Sequence, residues 1–304
     1  MNLPQRPPRR RIDGVLLLDK PGGMSSNAAL QKARRLFNAA KAGHTGTLDP
    51  MATGLLPLCF GEATKFSGEL LGAAKHYEAT LRLGVTTDTA DADGAVLETC
   101  DVSVSREQVE DVLARFRGEI EQLPPMHSAI KLNGRPLYEY ARKGIDLERA
   151  TRRVVIHALE LLKLEGVHLD IAVDCSKGTY VRALAQDIGA ALGCGAHLAA
   201  LRRTRTGSLW LADAITLEAI EARPTDTRHA LLQPTDALLA ALPRLGLDEA
   251  SARRLSHGQA IRAGHGPSGR VRLYGPGERF LGLGQVSEEG QLAPLRMIAT
   301  SLEK

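Results

Sequence analysis

The spacing of hydrophobic and polar residues predicts strands and helices in alternation over most of the chain. Tyr77, Ala79, Leu81 and Leu83 alternate with mostly polar residues, which predicts a strand. Val109, Val112, Leu113 and Phe116 repeat with helical spacing instead. A capping signal precedes them, since Gln108 follows Ser105 by three residues. The predicted strands are 14–19, 76–83, 153–165 and 168–175, and the predicted helices are 28–37, 105–116, 137–143 and 179–192.

The stretch 41–65 shows neither the alternation of a strand nor the spacing of a helix. Gly43, Gly46, Gly54 and Gly61 interrupt it, and polar residues stand among short apolar runs. We therefore predict a loop here, and long loops in compact domains are often functional.

The pattern changes again toward the C-terminus. Prolines break the apolar stretch 224–243, and from about Leu247 short strands alternate with Gly and Pro, at 270–274, 280–286 and 295–298. We predict a small β-rich domain there. The expected organisation is an arm at 1–13, a large domain at 14–246 and a small domain at 247–304.

Composition is that of an ordinary globular protein, since 43 % of the 304 residues are hydrophobic and 24 % are charged. The formal charge of +4 decides little, but two basic clusters stand out. Each suits either phosphate binding or a solvated face, and the charges alone do not separate the two. The clusters are Arg6, Arg9, Arg10 and Arg11 in the arm, and Lys177, Arg182, Arg202, Arg203 and Arg205 later in the chain.

Several classes of protein are not indicated. No apolar run approaches the roughly 18 to 20 residues that cross a bilayer, so we expect no membrane contact and a cytoplasmic location. The four cysteines are scattered without a CxxC pair, which argues against a zinc site or a disulfide framework. The glycines before Lys65 lack the spacing of a phosphate-binding P-loop.

The first candidate for chemistry is Asp49, in the glycine-rich segment 43–50. Pro50 follows it directly and restricts it to extended conformations, so the loop can present one acid rigidly. An aspartate here could be a nucleophile, a general base or a metal ligand, although no second acid or histidine has a metal-site spacing. A side chain that merely stabilises an Asx turn is an equal alternative.

Two further candidates are aromatic and basic. Tyr77, on a predicted strand, could stack on an extruded base, although most strand tyrosines belong to a core or a sheet surface. The helix that begins near Thr179 could bind an anion at its N-terminus. Arg182 in its first turn could hold a carboxylate such as Asp49, or could lie at the surface without a specific contact.

At this point the motifs resemble those of a known family, the tRNA pseudouridine(55) synthases of the bacterial TruB type. The similarity runs in order through most of residues 14 to 207. It rests on the segments 16–21, 43–50, 54–57, 61–65, 77–78, 175–182, 195–198 and 201–204.

The resemblance implies an α+β fold: a pseudouridine synthase fold with a large mixed, mainly antiparallel sheet flanked by helices and loops, and a small C-terminal PUA-like domain. It also implies an isomerase that converts uridine 55 in the T-loop of tRNA by base flipping. We expect the T-arm stem-loop as partner, no metal, no cofactor and a monomer.

The resemblance also implies roles for individual residues. Asp49 corresponds to the catalytic nucleophile, Arg182 to its partner, and Tyr77 to the ring that stacks on the target uracil. His44 corresponds to the residue that helps to open the T-loop, and Tyr180 and Leu201 to pocket residues. Further expected substrate contacts are Lys20, Asp91, Lys177, Arg202 and Arg203. His127 stands where family members often have a tyrosine, so any contact made by that ring is in doubt.

Two other functions compete with this one. A non-catalytic RNA-binding protein could use the same basic surface, but it would not need Asp49, Tyr77 and Arg182 together. A hydrolase with an aspartyl nucleophile would need a second acid or a metal beside Asp49, and the sequence indicates neither.

Overall fold

We describe the protein from a computed structural model, which covers residues 8–128, 130–132, 134–141, 143–263 and 267–299. Arg6 of the basic arm and residues 300–304 of the expected small domain lie outside this range.

The described chain alternates strands and helices, with a long 3-10 segment at Gly61–Leu70. The strands are β1 (Gly14–Lys20), β2 (Ala42–His44), β3 (Thr53–Phe60), β4 (Lys75–Leu83), β5 (Val85–Thr87), β6 (Val96–Thr99), β7 (Gly118–Gln122), β8 (Lys131–Leu132), β9 (Arg135–Pro136), β10 (Arg152–Glu165), β11 (His168–Cys175), β12 (Ala196–Thr206), β13 (Leu209–Trp210), β14 (Ile215–Thr216), β15 (Arg244–Gly246), β16 (Ile261–Arg262), β17 (Gly269–Gly275), β18 (Arg279–Val286) and β19 (Gln291–Met297). The helices are α1 (Ser26–Leu36), α2 (Arg106–Arg115), α3 (Leu137–Ala141), α4 (Val181–Ala191), α5 (Leu217–Ala222) and α6 (Glu249–Ser256).

A large mixed sheet forms the centre of the molecule. Its main path is β14-β1-β3-β12-β4-β11-β10-β7, with β2 paired to β3 and β13 paired to β12. β1 pairs in parallel with β14, and β12 in parallel with β3, whereas the other neighbours are antiparallel. This arrangement confirms the predicted α+β class and the mainly antiparallel sheet.

The two faces of this sheet bury different layers because side chains alternate along each strand. Leu16 and Leu18 of β1 pack with α1, α2, α4 and α5 in one core. Val15 and Leu17 point the other way and pack with the 3-10 segment. The helical layer therefore covers one face, and the 3-10 segment begins the cover of the other.

The sheet opens at one point, between β3 and β12. These strands pair only at Arg202↔Thr53 and Arg203↔Gly54. Toward the start of β12, Leu198 is bridged instead by Asp91, and the pairing of β12 with β4 shifts register between Leu198 and Ala200. The strands therefore diverge at this position and leave a gap between them.

Close packing at the base of this gap requires a glycine. Gly54 has φ +98°, and a Cβ there would lie 2.3 Å from the backbone oxygen of Arg203. This explains why the prediction of a loop over 41–65 is wrong for 53–60. Gly54 allows β12 to approach β3 and does not mark a turn.

A second sheet, of order β15-β17-β18-β19-β16, forms the C-terminal unit. It includes β15 (Arg244–Gly246), so it begins before the expected boundary at 247. Phe280 packs against Phe66 of the 3-10 segment, with ring centroids 5.5 Å apart, and Arg270 pairs with Glu69 at 2.6 Å. No helix in the described residues is long and apolar enough to cross a membrane.

Candidate active site

Asp49 lies on a loop that is fixed at both ends. The Ser26 hydroxyl, at the start of α1, donates to the Leu48 carbonyl (2.9 Å) and accepts from the Leu48 N–H (2.8 Å). On the other side of Asp49, Lys20 Nζ donates to the Pro50 carbonyl at 3.3 Å. These contacts hold the acid in a single position beside the gap in the sheet.

Arg182, in the first turn of α4, joins two acids across this gap. Its Nε lies 3.0 Å from Asp49 Oδ2, and its Nη1 lies 3.4 Å from Asp91 Oδ2. It also donates to the carbonyls of Thr89 (3.2 Å) and His127 (2.7 Å). The guanidinium is only 4 % exposed, so these groups determine its orientation. His127 contributes its backbone oxygen here, and this contact does not depend on the identity of its side chain.

The two acids differ in access. The side chain of Asp49 is 38 % exposed and that of Asp91 is 7 % exposed, so Asp49 is the more accessible of the two acids. Burial raises the pKa of Asp49 above its ordinary value, Arg182 opposes this, and Asp91 adds to it. Asp91 pairs with Arg182 and also raises the pKa of Asp49 by its own charge, and its expected substrate contact stays a prediction.

Lys20 and Arg203 are likewise internal. Lys20 is fully buried, donates to the carbonyls of Pro21 (2.7 Å) and Met24 (2.6 Å), and has its pKa lowered to about 8, mainly by burial. Arg203 is 1 % exposed and donates to the carbonyls of Leu55 (2.8 Å) and Gly46 (3.2 Å). Both cations bind the protein's own backbone and so help to position the loop, and the expected RNA contacts of these two residues stay predictions.

Tyr77 and His44 both lie near the loop that carries Asp49. Tyr77 is 7 % exposed, and burial raises its pKa while the nearby Arg203 lowers it. His44 ends β2, and its pKa is lowered by burial and then by Arg203, so the imidazole is neutral at pH 7. His44 Nδ1 is buried and has no partner among the described residues.

Three further predicted site residues are Tyr180, Lys177 and Arg202. Tyr180 caps α4, where Gln122 accepts from its N–H (3.0 Å) and donates to its carbonyl (3.3 Å). Lys177 is exposed in the turn before α4. Arg202 points to the opposite sheet face from Arg203 and pairs with Asp19 at 2.7 Å. Sequence patterns had not assigned Ser26, Gln122 or Thr89 to the site, because their contacts with Leu48, Tyr180 and Arg182 join distant parts of the chain.

A groove of about 590 Å³ opens at the gap in the sheet. Met51 and Thr53 line it from the side of β3, and Ala92 and Asp93 from the side of the Asp91 bridge. Leu201, 9 % exposed, lies between them on β12. Leu201 is thus the one predicted pocket residue that lines the groove, whereas Asp49 and Tyr77 are not among its lining residues. Within the described residues, no cluster of three or more His, Cys, Asp or Glu is arranged to hold a metal ion.

Three sequence profiles match the chain. They are described as TruB family pseudouridylate synthase (N terminal domain), over residues 34–181, tRNA pseudouridylate synthase B C-terminal domain, over 182–240, and Pseudouridine synthase II TruB, C-terminal, over 243–298.

Relatives and solved structures agree with these matches. The tRNA pseudouridine synthase B of Azoarcus sp. is 61 % identical, over 96 % of this chain and 97 % of that protein. The protein of the same name from Aromatoleum aromaticum is 60 % identical, over 96 % and 94 %. A solved structure described as a Cbf5-Nop10-Gar1 complex matches with a TM-score of 0.71 and 27 % identity, over 94 % of this chain and 84 % of that one, which confirms the pseudouridine synthase fold. The chain belongs to the TruB family of pseudouridylate synthases.

Proposed function

We propose that this protein isomerises uridine 55 in the T-loop of tRNA to pseudouridine, with Asp49 as the nucleophile. The pairing of Asp49 with Arg182 carries this proposal. A reachable carboxylate lies 3.0 Å from a buried guanidinium. The guanidinium keeps the acid ionised and aimed, and a protein that only bound RNA would gain nothing from this arrangement.

The reaction breaks the bond between ribose C1′ and uracil N1 and makes a bond between C1′ and uracil C5. Asp49 bonds transiently to an electrophilic carbon, either ribose C1′ or uracil C6, while the detached base turns within the pocket. The hydrogen at C5 leaves as a proton once the new bond has formed. N1, released from the ribose, takes up a proton in its place, so substrate and product are isomers and no electrons are gained or lost.

The pocket walls must keep the base in place while it is detached. Tyr77 supplies a ring for stacking, and Tyr180 and Leu201 close the pocket around the base. Flipping the nucleotide costs a few kcal/mol, which stacking of about 1 to 3 kcal/mol and phosphate contacts offset. His44 is suited to occupy the opened loop because a neutral imidazole gives up less hydration than an imidazolium.

The C-terminal unit is proposed to extend the RNA-binding surface. Arg262, Arg279 and Arg296 of its sheet are exposed, and exposed arginines on one small unit suit contacts with phosphates. Exposed Lys177 adds positive charge at the site itself.

The substitution Asp49→Asn tests the proposal. It keeps the size of the side chain and removes the nucleophile, so we expect turnover to be abolished while tRNA affinity stays largely intact. Turnover is measured as tritium release from tRNA that carries 5-tritiated uridine, and the product is mapped by carbodiimide labelling. The control is Asp101→Asn, which changes an exposed carboxylate of the loop after β6.

The results separate the competing functions. Product at the T-loop uridine with the wild type, and none with Asp49→Asn, supports the synthase. Full turnover in Asp49→Asn would contradict the nucleophile, and tight binding of tRNA that stays unmodified by the wild type would indicate a binding protein.

A further inference from the structure

Three cations lie close together beside the catalytic loop, and one of them, Lys75, has no role in the proposed chemistry. Lys75 begins β4, two residues before Tyr77, so both side chains share one face of the sheet. Arg203 on β12 pairs with Tyr77 in register. Lys177 lies two residues beyond Cys175, which pairs with Lys75. We call Lys75, Lys177 and Arg203 the cationic cluster.

The cationic cluster lies directly beneath the loop that carries Asp49. A Cβ added at Gly46 would lie 3.6 Å from Arg203 Nη1 and 3.9 Å from Lys75 Cε. Gly46 precedes Asp49 by three residues. The cluster therefore borders the place where the nucleotide attacked by Asp49 must lie.

The charges of this cluster are not balanced by acids. None of the ion pairs within the described parts of the chain involves Lys75, Lys177 or Arg203. Burial lowers the pKa of Lys75, and the neighbouring Arg203 and Lys177 lower it further. Uncompensated positive charge in a partly buried position attracts an anion.

Unused hydrogen-bond donors lie in the same place. The Thr206 hydroxyl is buried and has no partner among the described residues. Thr206 pairs with Lys75 across the strands, which places their Cβ atoms about 4.5 to 5.5 Å apart on one face. Lys75 Nζ donates to the Ala73 carbonyl at 2.7 Å, and an ammonium has two further protons to donate.

We propose that Lys75 binds the RNA phosphate that adjoins the target nucleotide, while Lys177 and the internally bonded Arg203 add positive charge around it. This inference rests on the proposed function and adds a positioning residue to it. A phosphodiester carries one negative charge and accepts hydrogen bonds, which matches the unused donors here. A phosphate held beside Asp49 restricts the position of the attached ribose, and with it the distance from the acid to the reacting carbon.

The test combines protein variants with modified RNA. Lys75→Met and Lys75→Arg are compared with the wild type and with Lys32→Met, which removes a lysine that pairs with Glu221 on the helical layer. Each protein is given three T-arm stem-loops: one unmodified, one with a methylphosphonate on the 5′ side of the target uridine, and one with it on the 3′ side. Dissociation constants across a salt series and single-turnover conversion are measured for every pair.

We expect Lys75→Met to bind the unmodified RNA about tenfold more weakly. The negative slope of log K against log salt should become shallower by roughly 0.7 to 0.9. Of the two methylphosphonates, the one at the phosphate that Lys75 contacts should weaken binding to the wild type and to Lys32→Met. The same methylphosphonate should have no further effect on binding to Lys75→Met. Lys75→Arg should keep most of the affinity.

Two outcomes overturn the inference, and the first of them needs no Lys75→Met protein. If neither methylphosphonate weakens wild-type binding, no adjoining phosphate is held. If the losses from Lys75→Met and from each methylphosphonate simply add, Lys75 does not contact that phosphate. Failure of the wild type to convert the unmodified RNA would instead remove the proposed function itself, so the two failures are distinguished.

Discussion

The reactive acid shows how one residue is both accessible and tuned by its neighbours. The Asp49 side chain is 38 % exposed, yet it lies between a guanidinium that favours its charge and a second carboxylate that opposes it. Its ionisation, and hence its strength as a nucleophile, depends first on burial, which raises its pKa, and then on the balance of these two groups.

This balance predicts how activity changes with pH. The nucleophile must be ionised, so the rate falls as pH drops through the raised pKa of Asp49, above its ordinary 3.8. Asp91→Asn removes the repulsion that raises this pKa, so the acid limb of the profile should move to lower pH. Arg182→Gln removes the favourable charge and should move it to higher pH, with a lower maximal rate. Single-turnover rates at saturating enzyme across a pH series measure both shifts.

Asp101→Asn serves as the control for this series and should leave the acid limb in place. If Asp91→Asn and Arg182→Gln both leave the midpoint unchanged, the titrating group is not Asp49.

Individual residues also show what the sequence could not reveal. The resemblance indicated Asp49 and Arg182, and the structure places them in contact. The same motifs suggested Arg203 as an RNA contact. In the structure its guanidinium donates hydrogen bonds to the Leu55 and Gly46 carbonyls instead. A basic residue on a strand looks the same in the sequence whether it meets phosphate or backbone, because the difference depends on contacts across the sheet.

At the scale of elements, sequence patterns predicted a helix or strand correctly where the interactions that form it lie within a few residues. The capping box of Ser105 and Gln108 is present at the start of α2, as the spacing predicts. The alternation in β4 is likewise confirmed. β3 was missed because Gly54 and Pro57 within it are residues that usually end strands, whereas its neighbours β1 and β12 come from distant parts of the chain.

Gly54 gives an element-scale prediction. Gly54→Ala should lower the free energy of unfolding by about 3 kcal/mol or more, because it adds both a strained positive φ and a collision with the backbone of Arg203. Gly118→Ala is the matched control, since Gly118 has φ +89° and nothing within 4 Å of its added Cβ. It should cost only about 1 to 2 kcal/mol. Urea denaturation measures both, and equal losses would contradict a special role for the β3–β12 approach.

At the scale of the whole molecule, the two sheets share a core. Leu283 of β18 packs in the same cluster as Val15 and Leu17 of β1, through the 3-10 segment. Lys65 in that segment also donates to the Met297 carbonyl at 3.0 Å, and Glu62 accepts from the Ala299 N–H at 2.7 Å. The C-terminal unit therefore covers one face of the large sheet, a role that its sequence, read as a separate small domain, did not suggest.

This shared core predicts that the described units unfold together. Wild-type protein should show one calorimetric transition with equal calorimetric and van't Hoff enthalpies. Phe280→Ala removes the ring that contacts Phe66 and Tyr274, so it should lower the free energy of unfolding by about 3 kcal/mol and shift that single transition as a whole. Leu295→Ala, at a side chain that is 51 % exposed, should have little effect. Two separate transitions, of which Phe280→Ala moves only one, would show that the sheets are independent and that the interface contributes little to either.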